Sequence, residues 1–256
     1  MIYDWQTLTV PTLSTIAKRD PVAVLVLGAI EQHGTHLPLG TDLIIGEGLA
    51  AAMREHLDPA LDVIFLPTIA VGASDEHTSF PGTLSLPAPL AISTLEAYGE
   101  SIARAGIKRL VLINSHGGNK AIMDLAALTL RQRLDMRVVK ATYTRLPVLE
   151  GVIAADELRY GLHGGLLETA MMQYLAPATV NLEGYQSAPL GTLPDNQLVG
   201  PEGSATFAWL AEDLSQHGVA GDARQATPAL GMRLVQHYAT QLATVVAETA
   251  RLPALS

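Results

Sequence analysis

The chain has 256 residues, of which 16 are Lys or Arg, 25 are Asp or Glu and none is Cys. Without cysteine there can be no disulfide, thiolate zinc site or cysteine nucleophile, so His, Asp and Glu must supply any metal ligands. The net charge of −9 argues against binding to nucleic acid or an anionic membrane, and no apolar run reaches the ~20 residues that span a bilayer. We expect a cytoplasmic globular protein, because the start of the chain lacks the basic segment of a signal peptide.

Apolar runs alternate with helical patterns along the chain. The first predicted strand, Val22 to Leu27, contains only Val, Ala and Leu, which is typical of a strand buried on both faces. The other predicted strands are 62–66, 109–113 and 136–141, and the predicted helices are 43–56, 89–104, 120–134 and 228–248. This alternation predicts a single domain over residues 1–256, an α/β sandwich whose mostly parallel central sheet is flanked by helices. Two long connections, 67–87 and 177–202, are candidates for functional loops.

Ionisable side chains follow two of the predicted strands. Glu31 and His33 come directly after the first strand, and alternate residues of an extended segment face the same side. Asp42 begins the next predicted helix, and His116 follows the strand at 109–113. Ligands of open α/β sheets bind beyond the carboxyl ends of the strands. Nitrogen and oxygen donors without sulfur suit zinc, manganese or ferrous iron, and Asp42 is the natural bridge between two metals.

Each of these residues also has an ordinary structural interpretation. Asp42 fits the N-cap of the helix that follows it, and Asn119 fits the N-cap of the helix from 120. Glu31 could be a charge-paired surface residue, and His116 a polar loop residue. These interpretations do not explain why such groups gather at the ends of two strands.

Three segments resemble the motifs of the creatininase, or creatinine amidohydrolase, family: GAIEQHGTHLPLGTD at 28–42, INSHGGN at 113–119 and HGGLLET at 163–169. The segment SDEHTSFPGT at 74–83 is similar to a further family motif, S-x-E-H-x-x-F-P-G-T. The resemblance runs in the right order from about Val22 to the last predicted helix. It implies a binuclear metal amidohydrolase on an α/β sandwich that is commonly a hexamer, so we expect a homo-oligomer.

Carried over residue by residue, the family pattern implies two divalent metal ions per chain, which could be zinc, manganese or iron. Glu31, Asp42 and His116 would hold one metal, while His33 and Asp42 would hold the second, with Asp42 as the bridge. Creatininase proper has a carboxylate two positions after the histidine that aligns with His116, where this chain has Gly118. The resemblance therefore implies that the second metal needs another ligand.

Glu168 is the candidate for that ligand, although a carboxylate at a helix start, favoured by the helix dipole, is the alternative interpretation. His163 matches the catalytic histidine of the family. We assign substrate-binding roles to His77, whose long loop could close over the site. The same role is assigned to Gly117 and Gly118, because glycine lets the backbone approach a ligand closely.

Arg159 is a further substrate-binding candidate, because it suits an anionic substrate, although an ordinary surface arginine is the alternative. Thr144 and Arg159 stand where creatininase has tryptophans, so we expect creatinine to be turned over poorly or not at all. The resemblance implies that metal-bound hydroxide attacks the carbonyl of a cyclic or linear small-molecule amide, while His163 passes a proton to the leaving nitrogen. Alternatively, the same site could serve a formamide deformylase or a small-peptide peptidase such as that of mycofactocin maturation.

Two other classes of protein are alternatives to a metal-dependent hydrolase. A nucleotide-dependent oxidoreductase would need a G-x-G-x-x-G motif after the first strand, where the chain has Gly28-Ala29-Ile30-Glu31. A metal-binding oligomer without catalytic activity would contain metal and hydrolyse no amide.

Overall fold

A five-stranded parallel sheet forms the centre of the structure, a computed structural model that describes residues 1–185 and 198–253. The strands of this sheet are β1 (Ile2–Asp4), β2 (Val22–Leu27), β3 (Val63–Phe65), β4 (Arg109–Asn114) and β5 (Arg137–Thr142). Their order is β1-β3-β2-β4-β5, and every neighbouring pair is parallel. The carboxyl ends of β2 and β4 are therefore side by side, with Leu27 opposite Asn114. Two-residue strands β6 (Val199–Gly200) and β7 (Ala205–Thr206) form a separate pair.

Helices cover both faces of the central sheet. They are α1 (Val10–Ala17), α2 (Thr41–Met53), α3 (Ala88–Arg104), α4 (Asn119–Leu134), α5 (Ala155–Tyr160), α6 (Leu166–Leu175), α7 (Ala211–Leu214) and α8 (Pro228–Arg251). Val24 of β2 packs in one core with residues of α2, α6 and α8, whereas Leu25 packs in the opposite core with residues of α1, α3 and α4. Because successive side chains of a strand face opposite sides, a strand between two cores must be apolar at every position.

The predicted α/β fold with a mostly parallel sheet is confirmed. The four predicted strands and four predicted helices are all present, with ends that differ by a few residues. The prediction missed β1, α1 and the short elements α5, α7, β6 and β7. The strand β1 has three residues, none of them buried, and α1 buries only Ile16. The connection 177–202 lies partly outside the described residues, and a single domain over 1–256 stays a prediction. None of the helices in the described part of the chain has the length and apolar character that crossing a bilayer requires.

Close backbone contacts bring the start of α2 against the end of β2. A side chain at Gly28 would place its Cβ 2.8 Å from the Cα of Leu43, so only glycine fits. The Ser115 hydroxyl, just beyond β4, lies 2.7 Å from the carbonyl oxygen of Asp42 and 3.1 Å from that of Leu27. These contacts place Asp42 directly over the carboxyl ends of the two central strands.

Candidate metal centre

Ionisable side chains from four segments meet at the carboxyl edge of the sheet. Glu31 and His33 come from the loop after β2, and Asp42 comes from the first turn of α2. His116 follows β4, and Glu168 lies in the first turn of α6. Glu31 and His33 are fully buried, with no exposed surface. The structure therefore brings together all five residues that were predicted to be metal ligands.

The first ligand group consists of Glu31, Asp42 and His116. The His116 Nδ1 atom lies 3.2 Å from Glu31 Oε1 and 3.5 Å from Asp42 Oδ2. On its other side, the His116 Nε2 atom lies 2.9 Å from the carbonyl oxygen of Ala73, which can only accept a hydrogen bond. This contact holds the imidazole so that Nδ1 faces the carboxylates, as the outer partner of a metal-bound histidine does.

The second ligand group consists of His33, Asp42 and Glu168. The His33 Nε2 atom lies 3.8 Å from Asp42 Oδ2 and 3.8 Å from Glu168 Oε2. The His33 Nδ1 atom donates to the carbonyl oxygen of Glu31 at 3.1 Å, which leaves the lone pair on Nε2. Burial, followed by the neighbouring His163, keeps the pKa of His33 well below its usual range, which favours the neutral ring that binds a metal.

Several buried atoms of this centre have no hydrogen-bond partner. Among the described residues, both carboxylate oxygens of Glu31, Nε2 of His33 and Oδ2 of Asp42 are buried in this way. Buried polar atoms are normally paired, and leaving one unpaired costs about 1–3 kcal/mol. These atoms point at one another from both ligand groups, which is the arrangement that a divalent cation would satisfy. The residues therefore fit a metal centre.

The shifted pKa values of the centre also indicate a site that favours a cation. Burial and the neighbouring charge of Glu31 raise the pKa of Asp42 well above its usual range, and burial raises that of Glu168. Burial alone would raise the pKa of Glu31, but the charge of His116 holds it well below its usual range. Burial alone would lower the pKa of His116, but Glu31, followed by Asp42, raises it to about 10. A bound cation would replace the protons that these groups otherwise hold.

Two more histidines lie against Glu31. The His77 Nε2 atom is 3.3 Å and the His163 Nδ1 atom 3.7 Å from Glu31 Oε1. Their rings are 4.3 Å apart, and the ring of His163 is also 4.1 Å from that of His33. Glu31, His33 and His163 form a third group whose atoms are close enough to bind one ion. The long loop after β3 therefore brings His77 into the centre, and its role in binding a substrate stays a prediction.

The two predicted substrate-binding glycines differ in their surroundings. A Cβ atom at Gly117 would meet nothing within 4 Å. A Cβ at Gly118 would lie 2.4 Å from the carbonyl oxygen of Ala73 and 2.5 Å from Glu76 Oε1. The chain itself, rather than a ligand, therefore takes the space that glycine provides at position 118. Position 118 also lies beside His116, in the first ligand group, whereas Glu168 belongs to the second group.

Other predictions have mixed outcomes. Asp42 does not cap α2, because Gly40 is the N-cap residue, and Asn119 is the first residue of α4 rather than its cap. The Asn119 side chain instead joins the site loops, accepting from the amide of Ala73 at 3.0 Å and donating to the carbonyl of Gly28 at 3.0 Å. The alternative interpretation of Glu168 holds in part, since its Oε2 atom accepts from the backbone amide of Gly164, just before α6, at 2.6 Å.

Arg159 lies exposed on α5, with its guanidinium carbon 4.9 Å from the ring centroid of Tyr160. Its role as a substrate-binding residue stays a prediction. His36 lies outside the ligand groups, and its Nε2 atom is 3.0 Å from both the carbonyl oxygen of Gly164 and the hydroxyl of Thr169. It thus supports the segment that carries His163.

Three residues at the centre escaped the sequence analysis. Gln32 lies 2.8 Å from His77, Glu76 lies 3.5 Å from His116, and Trp209 packs edge-on against His77 with 6.4 Å between ring centroids. Gln32 and Glu76 lie within the quoted motifs, so the motifs themselves were the available signal. Trp209 has no local signal, because it approaches the centre from a segment 132 residues after His77.

Known proteins resemble this chain along most of its length. The family model described as "Creatininase: Creatinine amidohydrolase" matches residues 6–246. A "Mycofactocin precursor peptide peptidase" of Mycobacterium tuberculosis (strain CDC 1551 / Oshkosh) is 33% identical over 87% of this chain and 83% of its own. A "Creatinine amidohydrolase" of Pseudomonas putida is 29% identical over 70% of this chain and 74% of its own. A solved structure described as "Creatininase Mn" has a TM-score of 0.78 at 24% identity, covering 97% of this chain and 98% of that one.

Asp42→Asn tests whether Asp42 is the group shared by two cations. In wild-type protein freed of metal with a chelator, adding zinc or manganese at about 100 times its Kd should stabilise the fold by ~2.7 kcal/mol. We expect the variant to lose this response, because asparagine lacks the charge that both groups share. We also expect it, without metal, to melt at or above the wild-type temperature, since the raised pKa of Asp42 means that burial disfavours its charged form.

The size of this stability difference depends on pH. Because folding raises the pKa of Asp42, the cost of its charge is present at high pH and is lost as pH falls through the folded-state pKa. The advantage of the metal-free variant over wild type should therefore shrink on acidification. Asp124→Asn is the matched control, because Asp124 is exposed and pairs with Lys140. An undiminished metal response in Asp42→Asn, measured by calorimetry and elemental analysis, would contradict the bridging role.

Proposed function

The chain belongs to the creatininase family and hydrolyses carbon–nitrogen bonds, and from this premise we propose that it cleaves a small amide at a binuclear metal centre built around Asp42. The observation that carries the proposal is the sharing of Asp42 between two ligand groups, in which both Glu31 oxygens, His33 Nε2 and Asp42 Oδ2 have no hydrogen-bond partner among the described residues. A carboxylate with two oxygens can bridge two cations. We propose Glu31 and His116 as the remaining ligands of one ion, and His33 and Glu168 as those of the other.

The donor set supports zinc or manganese as the ions, because it combines imidazole nitrogen with carboxylate oxygen and lacks sulfur. Such ions, when bound, lower the pKa of a water molecule and polarise a carbonyl oxygen. The chain contributes the orientation of the ligands. Backbone carbonyls hold the outer nitrogens of His33 and His116, so each ring presents its other nitrogen to the carboxylates.

We propose that His163 moves the proton that amide cleavage requires. Its Nε2 atom lies 2.6 Å from the carbonyl oxygen of Gln32, so that nitrogen carries a hydrogen and Nδ1 carries the lone pair. Nδ1 faces the centre, 3.7 Å from Glu31 Oε1. From this position it can accept a proton from water and deliver it to the nitrogen that leaves when the C–N bond breaks.

Substrates of two kinds are compatible with this chemistry. The first is a cyclic or linear small-molecule amide, including a formamide, as the motifs indicate. The second is a short peptide, which the mycobacterial peptide peptidases among the relatives favour. Creatinine is disfavoured, because Gly118, Thr144 and Arg159 stand where creatininase has a carboxylate and two tryptophans. Trp209 supplies an aromatic ring from a different segment, beside His77 rather than at either of those positions.

We further propose that the protein acts in the cytoplasm as a homo-oligomer, in the form of a hexamer as the family resemblance implies. Two leucines on adjacent turns of α4 support an interface between copies, since Leu125 is 56% and Leu128 66% exposed. Sedimentation or light scattering of the purified protein should give a mass several times 27.1 kDa. A monomeric mass at micromolar concentration would contradict this part of the proposal.

A substrate screen tests the reaction class. Protein reconstituted with zinc or manganese is assayed against lactams including creatinine, formamides and short peptides, with release of the amine as the readout. We expect hydrolysis of at least one amide and slow or undetectable turnover of creatinine. Full metal occupancy without hydrolysis of any amide would instead favour the metal-binding oligomer without catalytic activity. Creatinine turnover as efficient as that of the best substrate would refute the proposed specificity.

Two variants separate ligand from proton carrier. Glu168→Gln should reduce metal content as well as rate, because a neutral amide replaces a charged ligand of the second group. His163→Ala should retain both ions and lose about 10²–10⁴ in rate, the usual contribution of general acid–base catalysis. The rate–pH profile of His163→Ala should also lose one limb. Full metal in Glu168→Gln together with depleted metal in His163→Ala would reverse the assignment.

A further inference from the structure

We propose that Gln32 is a positioning residue that fixes the tautomers of His77 and His163. As a result, His77 presents an N–H group to the centre and His163 presents a lone pair. One residue would thereby set both the donor and the acceptor of the reaction. The inference rests on the proposed hydrolysis, but its central claim concerns ring tautomers, which can be measured without any substrate.

Two backbone groups determine which way the Gln32 carboxamide points. The amide of Gly34 donates to Gln32 Oε1 at 2.9 Å, and Gln32 Nε2 donates to the carbonyl oxygen of Gly218 at 2.9 Å. A backbone amide can only donate and a carbonyl can only accept, so exchanging the nitrogen and oxygen of the side chain would break both bonds. Gly218 has φ +68°, and a Cβ there would lie 2.4 Å from Gln32 Nε2. The orientation of the amide is therefore fixed at both ends.

The fixed amide in turn determines the tautomer of His77. Gln32 Nε2 is 2.8 Å from His77 Nδ1 and has a second hydrogen to donate, so Nδ1 must accept. The hydrogen of the neutral ring is then on Nε2, the atom 3.3 Å from Glu31 Oε1. Glu31 Oε1 nevertheless has no aligned hydrogen bond among the described residues. The N–H group of His77 is therefore directed at the centre without being bound by the carboxylate.

The backbone of the same residue determines the tautomer of His163. The carbonyl oxygen of Gln32 can only accept, so His163 Nε2, 2.6 Å away, carries the hydrogen. The lone pair on Nδ1 then faces the centre. His163 is held in place independently by paired backbone bonds to Ala220, at 3.0 and 2.8 Å. The two rings are tilted by 31° and lie 4.3 Å apart. His77 thus faces the centre with a hydrogen on Nε2, whereas His163 faces it with the lone pair of Nδ1.

This arrangement divides the proton chemistry of amide hydrolysis between two rings. Water adds its oxygen to the carbonyl carbon and gives one proton to His163 Nδ1. The His77 Nε2–H group donates a hydrogen bond to the carbonyl oxygen as negative charge develops there. The C–N bond then breaks, the proton passes from His163 to the leaving nitrogen, and the products are a carboxylic acid and an amine.

The variant Gln32→Glu tests the inference. Glutamate has the same size, but its carboxylate can only accept, so His77 should turn its hydrogen towards position 32 and lose it from Nε2. Long-range ¹⁵N–¹H spectra of zinc-loaded, ¹⁵N-histidine-labelled protein report which ring nitrogen carries the hydrogen, and His77→Asn identifies the signal. We expect His77 to be Nε2–H in wild type and Nδ1–H in Gln32→Glu, while His163 stays Nε2–H in both.

Kinetics give the second readout. At unchanged zinc content, kcat of Gln32→Glu should fall by about 10²–10⁴, the range that a lost donor or a wrong tautomer costs in other hydrolases, with KM much less affected. If Gln32→Glu fails to fold, Gln32→Ala should show both tautomers of His77 in mixture. The inference is overturned if wild-type His77 is Nδ1–H, or if its tautomer is the same in the folded Gln32 variants as in wild type.

A matched control is available on α8. Gln241 also donates to a backbone carbonyl, that of Pro147 at 2.8 Å, and also contacts a histidine, His237, at 2.5 Å. Gln241→Glu should leave the His77 signal, the zinc content and kcat unchanged. If the tautomers are as described but the wild type hydrolyses no amide, the proposed function fails and the positioning role of Gln32 stands. Hydrolysis by a wild type whose His77 is Nδ1–H would instead refute the positioning role and leave the proposed function standing.

Discussion

The crowding of carboxylates around Asp42, most of whose surface is buried, is the constraint on which the rest of the site depends. Burying an ionised carboxylate is costly unless a cation or hydrogen bonds compensate it, and here Glu31, Asp42 and Glu168 face one another with few partners among the described residues. The positive charge of His116 balances the negative charge of Glu31, but one imidazole cannot balance the charges of all three carboxylates. Metal binding and the stability of this edge of the sheet are therefore two aspects of the same electrostatic balance.

Much of this arrangement could be predicted from local patterns. The apolar run of β2 identified a central strand, since both of its faces pack in a core, and parallel strands place their following loops at one edge. The spacing of Glu31 and His33 placed both on one side of an extended loop, and the structure has both in the centre. The local rule was wrong at Asp42, which is a residue type favoured at the N-cap: α2 begins at Thr41, so Gly40 is the N-cap residue and Asp42 lies in the first turn.

The remaining features depend on contacts between distant parts of the chain. Gln32 looks like the outward-facing residue between two ligands, and its contacts with His77 and Gly218 bridge 45 and 186 residues. Trp209 approaches His77 from a segment that carries no recognisable motif. The periodicity of a sequence cannot predict contacts of this kind. Each partner is an ordinary polar or aromatic residue in the sequence, and only the fold brings the two together. Only the fold shows which polar residues beside the ligands contact the other histidines of the centre.

Gly118 links the loop after β3 to the turn after β4. The main chain around Ala73 and the carboxylate of Glu76 fill the volume that any side chain at position 118 would need. A carboxylate can reach His116 either from that turn or from the loop, but both cannot occupy the same space. Exchanging one source for the other requires paired changes, because an acidic residue placed at 118 alone would push the loop, and with it His77, away from the metal centre. In this chain, the negative charge beside His116 and the position of His77 therefore both depend on the loop after β3.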